Sequence, residues 1–477
     1  EDIEKIDDIY TTKRNVEKYA RLVEKSEIEK HDYNLNVRRF VDNTPNPEPQ
    51  DVKAHLTGGI PKNEIAVLEE QSKKFNVSAK VTFKSRDSIY ADFTDTIDDK
   101  EKIKAIIEDD SNLKNTYNNM NTLLSEWWEI AKDDFSIIVP ETKDEAVRKV
   151  SDSLMSFLNS GGGKLPGVRK ELLNTLKQKL IPIGVLDEFQ VAGVFVNWWS
   201  NIKYDLKTIQ AIGWSILLVP DKYIISEFFQ TEQNEIDETE SKIGEAESSL
   251  TEAIEAVDFE PEEGKKKTVA LVQKFLKSQI DDLKEETDES AIRERNLLKD
   301  QHKNIAEHAK TLKELKDSLK KQKDDLKYKI ELKRFGVEEE QVKLDRIIEK
   351  HEAEIETIEN SPVPEERKEK TKRTRKLNGL KKEYEFLKNR RDSLDTLLEE
   401  MGGMITDEET QQIILKKHFD LVNDELHRYL NAEKRTLITG YEHLWDKYAV
   451  PANALEKERK NTQSILNKFL TDLEYLN

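Results

Sequence analysis

Cysteine is absent from this 477-residue chain. Disulfides, Cys-ligated zinc, iron–sulfur clusters and a thiol nucleophile are therefore excluded. Glycine (16) and proline (12) are scarce, so few turns are available per residue and long helices are favoured. Net positive charge is missing as well: the formal charge is −19. A protein that only binds bare nucleic acid is usually basic, because phosphate contacts need Lys and Arg. Any DNA contact must then be a local patch, or be shared with a partner. No apolar run approaches the roughly 18 residues of a membrane span. The longest surrounds Ile212–Val219 and is interrupted by Ser215. No signal peptide opens the sequence. The expectation is a cytoplasmic protein without a membrane partner. A chain that starts at Glu1 rather than Met also reads as a fragment.

Charged residues are abundant, at 37% against 36% apolar. That balance is low for one large core and suits long helices with a narrow buried stripe. Residues 1–57 read as a junction that includes a linker at Asn43–Pro49, where alternate prolines block a helix. Residues 58–140 read as a small mixed region, with a helix over Lys62–Lys74, a hairpin within 77–93 and helix over 98–135. Residues 141–229 read as a compact Trp-rich helical domain. It opens at a capping box, Thr142–Glu145, and contains a loop at Ser160–Gly163. Residues 406–477 read as a C-terminal helical segment behind a second capping box, Thr406–Glu409.

Between them, residues 230–405 carry apolar residues every seven positions. Ile236, Ile243, Leu250 and Val257 form one series and Leu380, Leu387, Leu394 and Met401 another. The middle series is Leu298, Ile305, Leu312, Leu319 and Leu326. Strict heptads specify a left-handed coiled-coil seam, with Leu312 and Leu319 expected to be buried against another helix. The stretch 290–334 would run roughly 65 Å at 1.5 Å per residue. Gly336 and Pro362–Pro364 can turn the chain back, which favours an antiparallel coiled coil within one chain. The fold class expected is mainly α, with helical domains, this coiled coil, a C-terminal helical bundle and little β.

Catalytic motifs are missing. Gly163-Lys164 is followed by Leu165, so no phosphate-cradling loop is present, and no Gly-x-Gly-x-x-Gly turn follows a strand. The eight histidines show no metal-ligand spacing, so no metal site is expected. The pairs Trp127-Trp128 and Trp198-Trp199 can stack on bases, but their apolar surroundings point to core packing. One charge feature stands out. From Glu365 to Lys382, nine basic residues face three Glu: Arg367, Lys368, Lys370, Lys372, Arg373, Arg375, Lys376, Lys381 and Lys382. These are candidates for DNA phosphate contact. The bland alternative is a solvated helix face paired with acids, of which residues 232–263 supply thirteen against one Lys.

Asp32-Tyr33-Asn34-Leu35-Asn36-Val37-Arg38-Arg39-Phe40-Val41-Asp42 resembles the segment that follows the catalytic domain in DNA-methyltransferase (M) subunits of type I restriction–modification systems. Glu17–Val23 and Val52–Ile65 are similar to the sequence around it. Ile181–Asp221 is similar to the family's middle domain. Ile414–Tyr448 is similar to the C-terminal helices of its longer members, above all Lys417–Asp420, Arg428–Arg435 and Leu444–Tyr448. The heptad region adds nothing, because coiled coils look alike.

The resemblance implies adenine-N6 methylation of DNA with S-adenosylmethionine, the target base being flipped from the duplex. It also implies a specificity subunit as partner, with a restriction subunit able to join. The family's Asn-Pro-Pro-aromatic motif is not here: the only Asn-Pro is Asn46-Pro47, followed by Glu48. No catalytic or cofactor-binding residue carries over. The expectation is a C-terminal assembly and DNA-clamp region without bound cofactor, inactive alone, whose catalytic half lies upstream of Glu1. The rival from another class is a coiled-coil scaffold unrelated to DNA, which leaves Asp32–Asp42 unexplained.

Overall fold

The computed structural model describes residues 2–44, 48–136, 165–261, 266–364, 366–473 and 475. The capping box at Thr142–Glu145, the Ser160–Gly163 loop, the Asn46-Pro47 pair and Glu365 lie outside them. The fold is mainly α: among the described residues 77% are helical, and one small three-stranded sheet is present. The chain divides into two compact units, Glu1–Trp214 with Leu415–Asn477, and Ser215–Ile414.

In the first unit the helix Lys62–Lys74 has the predicted bounds. The predicted hairpin becomes β2 (Phe83–Ser85) and β3 (Tyr90–Phe93), and β1 (Ile60–Pro61) adds on the other side of β3. Both pairings are antiparallel, with Phe83 opposite Phe93 and Ile60 opposite Ala91. The helical stretch expected over 98–135 is two helices, Lys100–Asp109 and Ser111–Ser136. Asp110 sits between them in extended geometry, and its carboxylate accepts from the amides of Asn112 and Leu113. A short polar side chain that competes for backbone amides in this way favours a helix start over a helix interior.

Three of the four paired tryptophans are core, and Trp199 is half-buried. Trp127, Trp128 and Trp198 are buried, and Trp198 meets Trp127 and Phe195 edge-on at 5.5 and 5.4 Å. Each fully buried indole has a polar partner, as buried tryptophan requires. The Trp198 N–H donates to the His418 carbonyl at 2.8 Å, and that of Trp127 to the Leu172 carbonyl at 3.2 Å. The helix Glu188–Ile212 that carries Trp198 starts at a complete capping box of Asp187 and Gln190.

In the second unit, Gln230–Glu255 packs antiparallel on the 47-residue helix Glu289–Phe335. The direction is read from three ion pairs: Glu232 with Lys329, Glu240 with Lys323 and Glu247 with Lys316, at 2.6–2.8 Å. Ile236, Ile243, Leu250 and Val257 are buried along this contact. On the facing helix, Ile305 (0%) and Leu326 (6%) are buried, whereas Leu298, Leu312 and Leu319 are only half-buried. Val269–Asp282 adds Val272 and Leu276 to the cluster around Ile305. A single helical partner covers one flank of a seam, so burial is complete only where a further element closes the other side.

Gly336 ends the long helix at φ 76°, a conformation in which a side chain would be strained, and its amide donates to the Leu332 carbonyl at 2.8 Å. Glu338–Asn360 then runs to Ser361–Pro364, and Arg367–Asp392 returns beside it. The second capping box is formed: the Glu409 amide donates to Thr406 Oγ1, and the Glu409 carboxylate accepts from the Thr406 amide.

Candidate functional site

The basic stretch forms the start of the returning arm of that last helical hairpin, next to its tip. Prolines 362 and 364 lack the amide needed to continue the helix, so the arms separate there. The lower arms are held by an ion pair between Arg391 and Asp345 at 3.0 Å and by Lys381 with Glu359 at 2.6 Å. At the tip, the Arg373 guanidinium donates to the carbonyl of Ile358, to that of Ser361 at 2.8 Å and to that of Glu359 at 3.3 Å. It therefore closes the exposed C-terminus of the opposite arm, a site that favours a cation. A cleft of about 600 Å³ lies beside it, lined by Ile358, Ser361, Pro362 and Pro364 on one side and by Glu369, Lys372, Arg375 and Lys376 on the other.

Two of the nine candidate cations are thus occupied, Arg373 by carbonyls and Lys381 by Glu359. Arg367, Lys368, Lys370, Lys372, Arg375, Lys376 and Lys382 are solvent-exposed, with no ion pair to the described residues. The described acids of the stretch 232–261 do not neutralise them: their ion pairs between arms go to Lys316, Lys323 and Lys329.

Asp32–Asp42 forms a surface turn. Asp32 and Tyr33 take positive φ, 54° and 55°. Asn34 accepts from the Asn36 amide and Asn36 from the Arg38 amide, at 3.0 and 3.2 Å, so both asparagines act as local caps. Arg39 approaches His31 Nδ1 at 3.5 Å, while Tyr33 and Leu35 are exposed. Near this turn lies an apolar groove of about 730 Å³, lined by Ile6, Ile9, Tyr10, Tyr19, Leu22 and Val37, with Lys13, Arg14 and Arg21 also on its wall. Residues 1–48, the whole of this segment, match a family model described as N-6 DNA methylase.

No curated protein and no solved structure matches the chain significantly. The N-6 DNA methylase likeness takes in the Asp32–Asp42 turn and stops short of the basic hairpin.

Two buried polar clusters escaped sequence reasoning. Lys447 Nζ lies 2.8 Å from Glu64 and 3.0 Å from Glu48, and the Tyr448 hydroxyl donates to Glu64 at 2.5 Å. Burial opposes the charge on Lys447, but hydrogen bonds to the two carboxylates more than offset it, so its pKa is raised above the lysine range. Burial and the Glu64 hydrogen bond push Tyr448 up to about 12. The second cluster is His418, fully buried, with Nε2 3.1 Å from Asp205, a carboxylate that Lys417 also contacts at 2.6 Å. Burial holds the His418 pKa below the ordinary value, with Asp205 pulling the other way. Both clusters join residues far apart in sequence. The sole sequence signal was that Val52–Ile65, Ile181–Asp221, Lys417–Asp420 and Leu444–Tyr448 each resembled the same family. Among the described residues no group of three His, Asp or Glu is placed to hold a metal ion, and no helix is long and apolar enough to cross a membrane.

Proposed function

We propose that this chain is a non-catalytic assembly and DNA-clamp region of a type I restriction–modification adenine-N6 DNA methyltransferase. In this reading it docks the specificity subunit, with a restriction subunit able to join, and supports DNA binding. The observation that carries the reading is the N-6 DNA methylase match over residues 1–48, which contains the Asp32–Asp42 turn. The arrangement of the helices suits the role. Ala452–Asp472 has no buried residue, and it exposes Leu455, Leu466, Phe469 and Leu473 at 53–64%. Helices in proteins draw most of their stability from packing an amphipathic face, so an apolar stripe left open fits a helix that is completed by a partner. A scaffold unrelated to DNA accounts for the paired helices but leaves the methylase match without a reason.

The test is co-expression with the specificity subunit of the same system. The intact chain should co-purify with it, and a chain ending at Pro451 should not. Calorimetry of the chain alone with S-adenosylmethionine should be flat, because no Gly-rich turn after a strand and no Asn-Pro-Pro-aromatic motif is available to hold cofactor or adenine. Failure to co-purify, or a micromolar isotherm, would sink the proposal.

A further inference from the structure

The returning arm Arg367–Asp392 has two faces. At 100° per residue, Lys368, Lys372, Arg375 and Lys382 fall within an arc of about 80°, over a length of about 21 Å. Arg373, Leu377, Leu380, Tyr384 and Leu387 lie on the other side of the helix and are half-buried, and the remaining half-buried residue, Arg390, sits beyond the stripe near the base of the arm. The four stripe cations are exposed and make no ion pair with the described residues. Gly379 lies in the same arc. A Cβ added there meets nothing within 4 Å, so packing within the chain does not require a glycine. Glycine inside a helix is destabilising relative to alanine, and here no contact in the fold explains it. A bare backbone in the middle of a cationic stripe is what close approach by an extended anionic ligand would use.

We propose that this stripe is a seat for the phosphate backbone of duplex DNA, with Lys368, Lys372, Arg375 and Lys382 as the contacting cations and Gly379 as the point of closest approach. The assignment to duplex DNA rests on the methyltransferase reading above. It also fits the geometry: a straight row of exposed cations on one helix face complements a stiff, regularly charged rod. The net charge of −19 does not forbid it. Screening over about 10 Å at 0.1 M salt leaves the local excess to act on a phosphate at the surface. Arg373 and Lys381 are excluded from the seat, since carbonyls and Glu359 already hold them.

The test compares two matched triple reversals in the full chain, using fluorescence anisotropy with a mixed-sequence duplex across a salt series. Lys368→Glu, Lys372→Glu and Arg375→Glu should lower the slope of log affinity against log salt by about 2.7, at about 0.9 per lost contact. Arg367→Glu, Lys370→Glu and Lys376→Glu, with the same charge change off the stripe, should lower it far less. Gly379→Leu should weaken binding while leaving the melting temperature unchanged or higher, because leucine favours the helix and meets open space. Site preference of the assembled enzyme should not change, since phosphate contacts carry no base readout. Equal losses in the two triples, full affinity in Gly379→Leu, no salt-dependent binding by the parent chain, or tighter binding to polyglutamate or single-stranded RNA would each overturn the seat. All variants keep residues 452–477, so co-purification with the specificity subunit reports separately on the assembly reading and shows that the variants fold.

Discussion

The two units differ in what holds them together. In the first, decisive contacts join distant parts of the chain: Trp198 with His418, Asp205 with Lys417, Glu64 with Lys447 and Tyr448. In the second, neighbouring helices pair side by side, with heptad apolars inside and Lys–Glu pairs along the rim. Each residue of the first set has an individual partner and geometry. A residue of the second needs only to be apolar at the right period, or of the right charge. The segments that resemble the M-subunit family fall almost wholly in the first unit. The second is where a new surface property, such as the basic hairpin, can arise without disturbing a packed core.

Core truncation should separate the units most strongly. Trp198→Ala removes a fully buried ring together with the partner of the His418 carbonyl, and should cost about 3–5 kcal/mol in denaturant unfolding. In the second unit the loss should follow coverage rather than heptad position. Ile305→Ala, at a fully buried site, should cost about 2–4 kcal/mol, and Leu319→Ala, half-buried, about 1 kcal/mol. Equal losses at the two sites would mean that a further helix closes the seam in solution.

The smallest effect is a pH dependence expected of the first unit. His418 has a folded-state pKa below its unfolded value near 6.5. The unfolded chain therefore binds more protons in that window, and stability falls as pH drops from about 6.5 toward the folded-state pKa. The slope is at most about 1.4 kcal/mol per pH unit for one group. Unfolding midpoints measured from pH 8 to 5 should decline, and His418→Gln should flatten the decline. An unchanged slope in that variant would show that His418 does not carry the effect.

Much of the secondary structure was legible because it follows from local rules. The 3.6-residue period, the Thr406–Glu409 box, Gly336 and the Pro362–Pro364 break all act within a few residues of themselves. The break at Asp110 was harder to see, since the apolar pattern continues through it and only the side chain's capture of two amides interrupts the helix. At the candidate site the sequence located the cations but not their employment. Arg373 and Arg375 are equivalent in composition. One closes the opposite arm at Ser361 and the other faces solvent, because successive helical residues point about 100° apart and only folding decides what stands opposite.

By itself the sequence determined the helical class, the heptad period and the clustering of positive charge in one stretch, because these depend on composition and on period along the chain. The tertiary structure alone decided that Glu64 meets Lys447, that His418 is sealed against Asp205 and Trp198, and which of nine cations stay open to a ligand. The first two outcomes depend on burial and on neighbours hundreds of residues away, and the third on what the opposite arm of the hairpin presents. A desolvated charge survives only beside a partner, and no local pattern names that partner.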